Sequence, residues 1–202
     1  TKINSMTYDV NGMYAIGDYL YFSYSEDEGN CVTRTTITTI DPPTTDGFGS
    51  GCFQNISDAI AVASNNDDTL YVLSGKERSV YKVNLTDSSR DIVISSIYSS
   101  AYPTMNMGTM AVSQTTIYIQ LTNELLMYDV NSFRLLRRIT EDYMSIAFSS
   151  YYMFYGSITF NEGNLVFLGA ALYGILQLNF NEAQTEVVLK SEAYEIQRFY
   201  IL

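Results

Sequence analysis

The side chains able to do chemistry in this chain are few and of narrow kinds. Among 202 residues there are two cysteines, Cys31 and Cys52, and no histidine. Without an imidazole, a Ser-His-Asp triad, a Cys-His pair and a His-based metal site are all ruled out. Acid–base chemistry is left to carboxylates. Glycoside hydrolysis needs only two of them, about 5 to 10 Å apart, and Glu26, Asp27, Glu28, Asp67, Asp68 and Asp142 are available. Nearly all fall in turn-like segments, where Asp and Asn are favoured for backbone reasons alone. They are read as solvated turns, no catalytic residue is assigned, and a carboxylate-dependent carbohydrate enzyme is the remote alternative. The oxygens of Asn65-Asn66-Asp67-Asp68 would suit calcium, but the spacing and glycine of an EF-hand loop are missing. Glu26-Asp27-Glu28-Gly29-Asn30 reads as a charged hairpin tip. Metal binding stays open, and no cofactor is expected.

Two cysteines at this spacing are compatible with one disulfide, the alternative being a pair of buried thiols. A disulfide places the protein in an oxidising compartment. Two sequons, Asn55-Ile56-Ser57 and Asn84-Leu85-Thr86, are candidate glycosylation sites at Asn55 and Asn84. A chain this rich in Asn, Ser and Thr acquires sequons by chance, so the expectation of an extracellular protein, secreted or at the cell surface, rests mainly on the cysteines. No initiator Met or basic leader opens the chain at Thr1, so a targeting signal is either absent or removed.

Charge narrows the partners. The chain carries 22 acidic and 11 basic residues, a net charge of -11, without a basic run. Nucleic acid and anionic membrane are therefore excluded as partners, since both need clustered Lys and Arg to replace counterions. The longest uncharged apolar stretch, Leu165 to Leu176, spans 12 residues and is interrupted by Gly169 and Gly174. That is short of the roughly 20 that cross a bilayer, and it reads as a buried hairpin.

The elements that must position these residues are strands. Alternating or wholly apolar runs of four to seven residues recur between Gly, Asn and Asp, with little helical periodicity. One anchor repeats four times: Leu20-Tyr21-Phe22, Leu70-Tyr71-Val72, Ile117-Tyr118-Ile119 and Leu165-Val166-Phe167, their first residues 50, 47 and 48 apart. A second follows 13 residues later at Val83-Asn84, Val130-Asn131 and Leu178-Asn179. In the first copy the matching pair is Ile40-Asp41, delayed by a longer hairpin containing Cys31. Each repeat thus predicts four strands, A to D. Strand A covers Tyr14 to Ile16, Ala59 to Ala63, Met110 to Val112 and Ser157 to Phe160. Strand D covers Ile92 to Ile97, Arg134 to Ile139 and Glu186 to Lys190, with a further one before Cys52. The expected fold is all-β, a β-propeller-like array of four four-stranded antiparallel blades in one domain over residues 1–202, with repeats at 12–56, 57–107, 108–155 and 156–202.

Leu70-Tyr71-Val72 with Val80-Tyr81-Lys82-Val83-Asn84, and Tyr128-Asp129-Val130-Asn131 with Leu135-Leu136-Arg137-Arg138-Ile139, resemble the YVTN, NHL and PQQ-like propeller repeats over nearly the whole chain. Asp58-Ala59 with Tyr71 and Tyr81 is also similar to the hemopexin repeat. That family, however, joins its first blade to its last by a disulfide, and here both cysteines lie in the first repeat. The resemblance implies a scaffold for binding and carries over no catalytic residue.

In a blade the D-to-A crossovers share one face of the disc. They gather Tyr98, Tyr102 and Met105, then Tyr151, Tyr152, Phe154 and Tyr155, to which the apolar tail adds Phe199 and Tyr200. Tyrosine suits an interface because it buries a rigid ring while keeping a wet polar tip; the alternative is packing between blades. The functional expectation is a non-enzymatic extracellular structural or interaction module. It is a homo-oligomer or filament with a possible protein or glycan partner, and a lectin-like or ligand-binding propeller is the alternative.

Overall fold

The computed structural model describes residues 9–25, 31–36, 53–66, 68–97, 108–121, 124–140, 158–161, 165–170, 174–181 and 184–187. All regular structure among them is β, in antiparallel sheets built from strands consecutive in sequence. By contact the chain divides into two compact units, Thr1–Ile97 and Tyr98–Leu202.

The first unit holds two sheets. One runs β1 (Asp9–Ile16), β2 (Tyr19–Ser25), β3 (Cys31–Thr36), and the other β4 (Ala59–Asn66), β5 (Thr69–Ser74), β6 (Ser79–Asn84), β7 (Arg90–Ile94). In the second sheet burial falls from inner to outer strand. β5 is buried at every position, β6 alternates over its last half, and Arg90, Asp91 and Ile92 of β7 are exposed. A strand covered on both faces can be wholly apolar, whereas an outer strand needs polar residues to face water. Ile16, Tyr21 and Val32 of the first sheet pack with Ile56, Ala59, Val62, Leu70, Val72, Tyr81 and Val83 into one core. β1 and β4 approach closely at Gly12, where an added Cβ would stand 3.0 Å from Ala61 Cα and 3.1 Å from Val62 N. Only a residue without a side chain permits that approach.

The second unit holds β8 (Thr109–Val112), β9 (Thr116–Leu121), β10 (Glu124–Asp129) and β11 (Leu135–Thr140), paired in sequence order. A further sheet follows: β12 (Ile158–Asn161), β13 (Leu165–Ala170), β14 (Gly174–Asn181) and β15 (Gln184–Val187). β9 repeats the burial of β5, and β11 the exposure of β7, with Leu135 46% and Leu136 57% exposed. A register shift between Met127 and Tyr128 lets Leu135 pair with Tyr128 and Arg137 with Met127, leaving Leu136 between them as a bulge.

The four anchors all lie in second strands, β2, β5, β9 and β13, as the repeat predicts. The expected longer hairpin containing Cys31 is formed by β2 and β3, with Cys31 opposite Tyr24. One expectation is corrected. Asn179, expected like Asn84 at the turn that ends a third strand, instead pairs with Leu165 and Glu186 inside β14. The first sheet shows three strands among the described residues; its expected fourth, before Cys52, lies outside them, as does Ile40-Asp41, and an isolated bridge joins Val32 of β3 to Gln54.

Candidate functional site

Turn chemistry accounts for several of the acids and amides at the surface. Asn66 Oδ1 accepts a hydrogen bond from Asp68 N at 2.9 Å, and Asn84 Oδ1 accepts one from Thr86 N at 2.8 Å. Asp129 Oδ1 accepts from Asn131 N, Ser132 N and Ser132 Oγ at 3.1, 2.7 and 2.8 Å, which holds its carboxyl below the usual carboxylate range. Asp87 is lowered in the same way by Ser89. Among the described residues no group of three or more Cys, Asp or Glu could hold a metal. Glu26, Asp27, Glu28, Asp67 and Asp142 lie outside them.

Asn55 is exposed, its carbonyl accepting from Arg90 Nη1; Asn84 is exposed at the end of β6. Cys31 is buried. Cys52, and the aromatic and Met positions Tyr98, Tyr102, Met105, Tyr151, Tyr152, Phe154, Tyr155, Phe199 and Tyr200, lie outside the described residues.

A cluster that the sequence reading did not single out occupies the first sheet. Tyr21 and Arg34 stand directly opposite on β2 and β3, and Tyr19 and Thr36 form the next pair on the same face. The bridge of Val32 to Gln54, with N···O distances of 3.0 and 3.1 Å in the two directions, brings Phe53 alongside. The Arg34 guanidinium carbon lies 5.0 Å from the Tyr19 ring centre and 4.9 Å from that of Phe53. Tyr21 meets Phe53 edge-on at 5.6 Å and Tyr19 at 6.3 Å, and is itself buried in the core. Two rings anchored to a packed core thus hold an exposed cation. Arg34 makes no hydrogen bond or ion pair with any described residue. A Tyr-x-Tyr run on one strand hints at such a cluster; the Arg and Phe come from 15 and 34 residues beyond Tyr19, which pairing alone brings together.

The same segment is tied to the second sheet. Gln54 Nε2 donates to the Ser88 carbonyl at 2.9 Å, and Arg90 Nη1 reaches Gln54 Oε1 at 3.5 Å. Arg90 also lies over Tyr81, 5.7 Å from its centre, while Tyr81 Oη donates to Glu77 Oε2. Burial, then that bond to a carboxylate, pushes the Tyr81 phenol up to about 12.

In the second unit, Glu124 is 1% exposed and pairs with Arg138 Nε at 3.6 Å. On the other face of that sheet Gln120 is 2% exposed, with neither Nε2 nor Oε1 hydrogen-bonded.

No family model matches the chain, and no curated protein is similar to it in sequence. Its similarities are to solved structures. It is similar to the extracellular domain of a protein named as a one component system of B. thetaiotaomicron, with a TM-score of 0.53 and 9% identity over 89% of this chain. It is also similar to the structure of U3-55K, with a TM-score of 0.56 and 6% identity over 92% of this chain. The chain spans 23% and 53% of those two chains. At these identities the likeness is one of fold, a β-sheet domain. Among the described residues no helix is long and apolar enough to cross a membrane.

Proposed function

We propose that this chain is a non-enzymatic extracellular interaction module whose successive sheets are propeller-like blades, and that it associates with further copies of itself. The observation that carries the proposal is the outer strand β11. Among the described residues it is the outer strand of its sheet, and it presents Leu135 and Leu136 to solvent side by side at a bulge. An exposed strand edge flanked by apolar side chains is a template for another chain. The four-fold strand repeat and its likeness to the YVTN, NHL and PQQ-like repeats support the blade reading. The extracellular neighbour and the exposed Asn55 and Asn84, proposed glycan acceptors, support the location. Light scattering at micromolar concentration tests the association. The expected result is a mass above one chain that falls to the monomer in Leu136→Lys; a monomer in the unmodified protein overturns the reading.

A second reading, a ligand-binding module, is favoured by the Tyr19, Arg34 and Phe53 cluster, which offers hydrogen-bond donors that no described residue takes up.

A further inference from the structure

We infer that the Arg34 cluster binds the carboxylate of an acidic sugar, an inference that rests on the ligand-binding reading and names its ligand class.

Two rings lie against the guanidinium at 5.0 and 4.9 Å, and none of its N–H donors is taken up by a described residue. A planar fork approached in its plane matches a carboxylate, which takes two parallel hydrogen bonds. The rings also supply preorganisation. Tyr21 lies in the core, and Phe53 packs against that core and is held beside β3 by the Val32 to Gln54 bridge. The cation is therefore fixed before any ligand arrives, which lowers the ordering cost of binding.

The surroundings select a sugar over a bare anion. Tyr19 is 38% exposed, and its ring, 5.0 Å from the guanidinium carbon, carries a phenol hydroxyl. Thr36, its cross-strand partner, is exposed and adds a hydroxyl. A ring carrying one carboxylate and several hydroxyls answers all three groups, whereas a simple carboxylate answers only Arg34. Charge sets the number of carboxylates. With a net charge of -11 the protein repels a polyanion at long range, and the cluster holds a single cation. A residue with one acid group is the fitting ligand.

The test is a titration of the full chain followed by NMR, using methyl β-glucuronide, its neutral counterpart methyl β-glucoside, and acetate. The expected result is saturable shifts of the Tyr19, Arg34 and Thr36 signals with the glucuronide at millimolar concentration, at least tenfold weaker with either control. Arg34→Lys keeps the charge but loses the fork, and weakens glucuronide binding about tenfold. Thr36→Val, at an exposed position that leaves the cluster's packing intact, weakens it severalfold. Equal affinity for acetate and glucuronide overturns the sugar assignment and leaves a carboxylate-binding module standing. No response to any of the three overturns both.

Discussion

At the scale of single residues, the chain spends its ionisable groups on local order. Tyr81 shows this most clearly. Its ring closes the core between the two sheets of the first unit, and its hydroxyl donates to the Glu77 carboxylate four residues back. Burial disfavours the phenolate, and a neighbouring carboxylate disfavours it further; Arg90 over the ring opposes both but does not outweigh them. The phenol thus titrates near 12 in the folded chain and near 10 once unfolded. Because the folded state holds the proton more tightly, the associated stability is full below pH 10. It is lost as pH rises towards 12, and amounts to roughly 2 kcal/mol. Urea unfolding of the native protein and of Tyr81→Phe, measured from pH 9 to 11.5, should show a steep fall in the first and a shallower one in the second. Tyr14, Tyr71, Tyr118 and Tyr128, which burial also raises, contribute to the remaining slope. Identical slopes would show that Tyr81 does not carry the effect.

At the scale of strands, the repeat explains both a regularity and a departure from it. Leu73 and Gln120 each lie three residues after the anchor of their strand, at Leu70 and Ile117, and both are buried. Leu73 fits an apolar site. Gln120 leaves an amide with both polar atoms unpaired, opposite Thr109 and Leu125. Such a group costs about 1 to 3 kcal/mol, while leucine has a similar volume and no polar atom to strand. Gln120→Leu should therefore raise the free energy of unfolding by about 1 to 2 kcal/mol. Denaturant melts reading a loss instead would mean that the amide is satisfied in solution, by water or a ligand. Strands were legible for the reason the repeat is: a period of two writes burial directly into sequence. The anchors mark β2, β5, β9 and β13, and the first strands overlap the expected Tyr14 to Ile16, Ala59 to Ala63, Met110 to Val112 and Ser157 to Phe160. Outer strands were less legible. β7 covers Arg90–Ile94 where Ile92 to Ile97 was expected, because a mostly exposed strand with a bulge carries little pattern. The length of a hairpin loop is set by pairing, and β3 begins nine residues before Ile40, the residue that marked the third strand of the first repeat. The aromatic cluster around Arg34 was not legible at all, since cross-strand register and one isolated bridge bring its parts together.

At the scale of the molecule, the sheets are built from near-repeats, and in such arrays stability is close to a sum over units and their contacts. Among the described residues the outer strand β3 of the first sheet is joined to the segment after Cys52 by the bridge of Val32 to Gln54, and Gln54 in turn contacts Ser88 and Arg90. A covalent link between Cys31 and Cys52 would reinforce this contact. Cys31 is buried next to Val32, and Cys52 comes two residues before Gln54, so the bridge brings the two segments together. Closing a loop of this length constrains the unfolded chain by about 3 kcal/mol. Reduction should lower the stability of the native protein by about that amount, as should Cys31→Ser with Cys52→Ser; Leu20→Ala in the same sheet should become more damaging without the link. Non-reducing peptide mapping of material from its own source should recover the Cys31 and Cys52 peptides joined, with Asn55 and Asn84 carrying glycan in the same digest. Recovery of both cysteines as free thiols would remove the link, and with it the chief argument for an oxidising compartment.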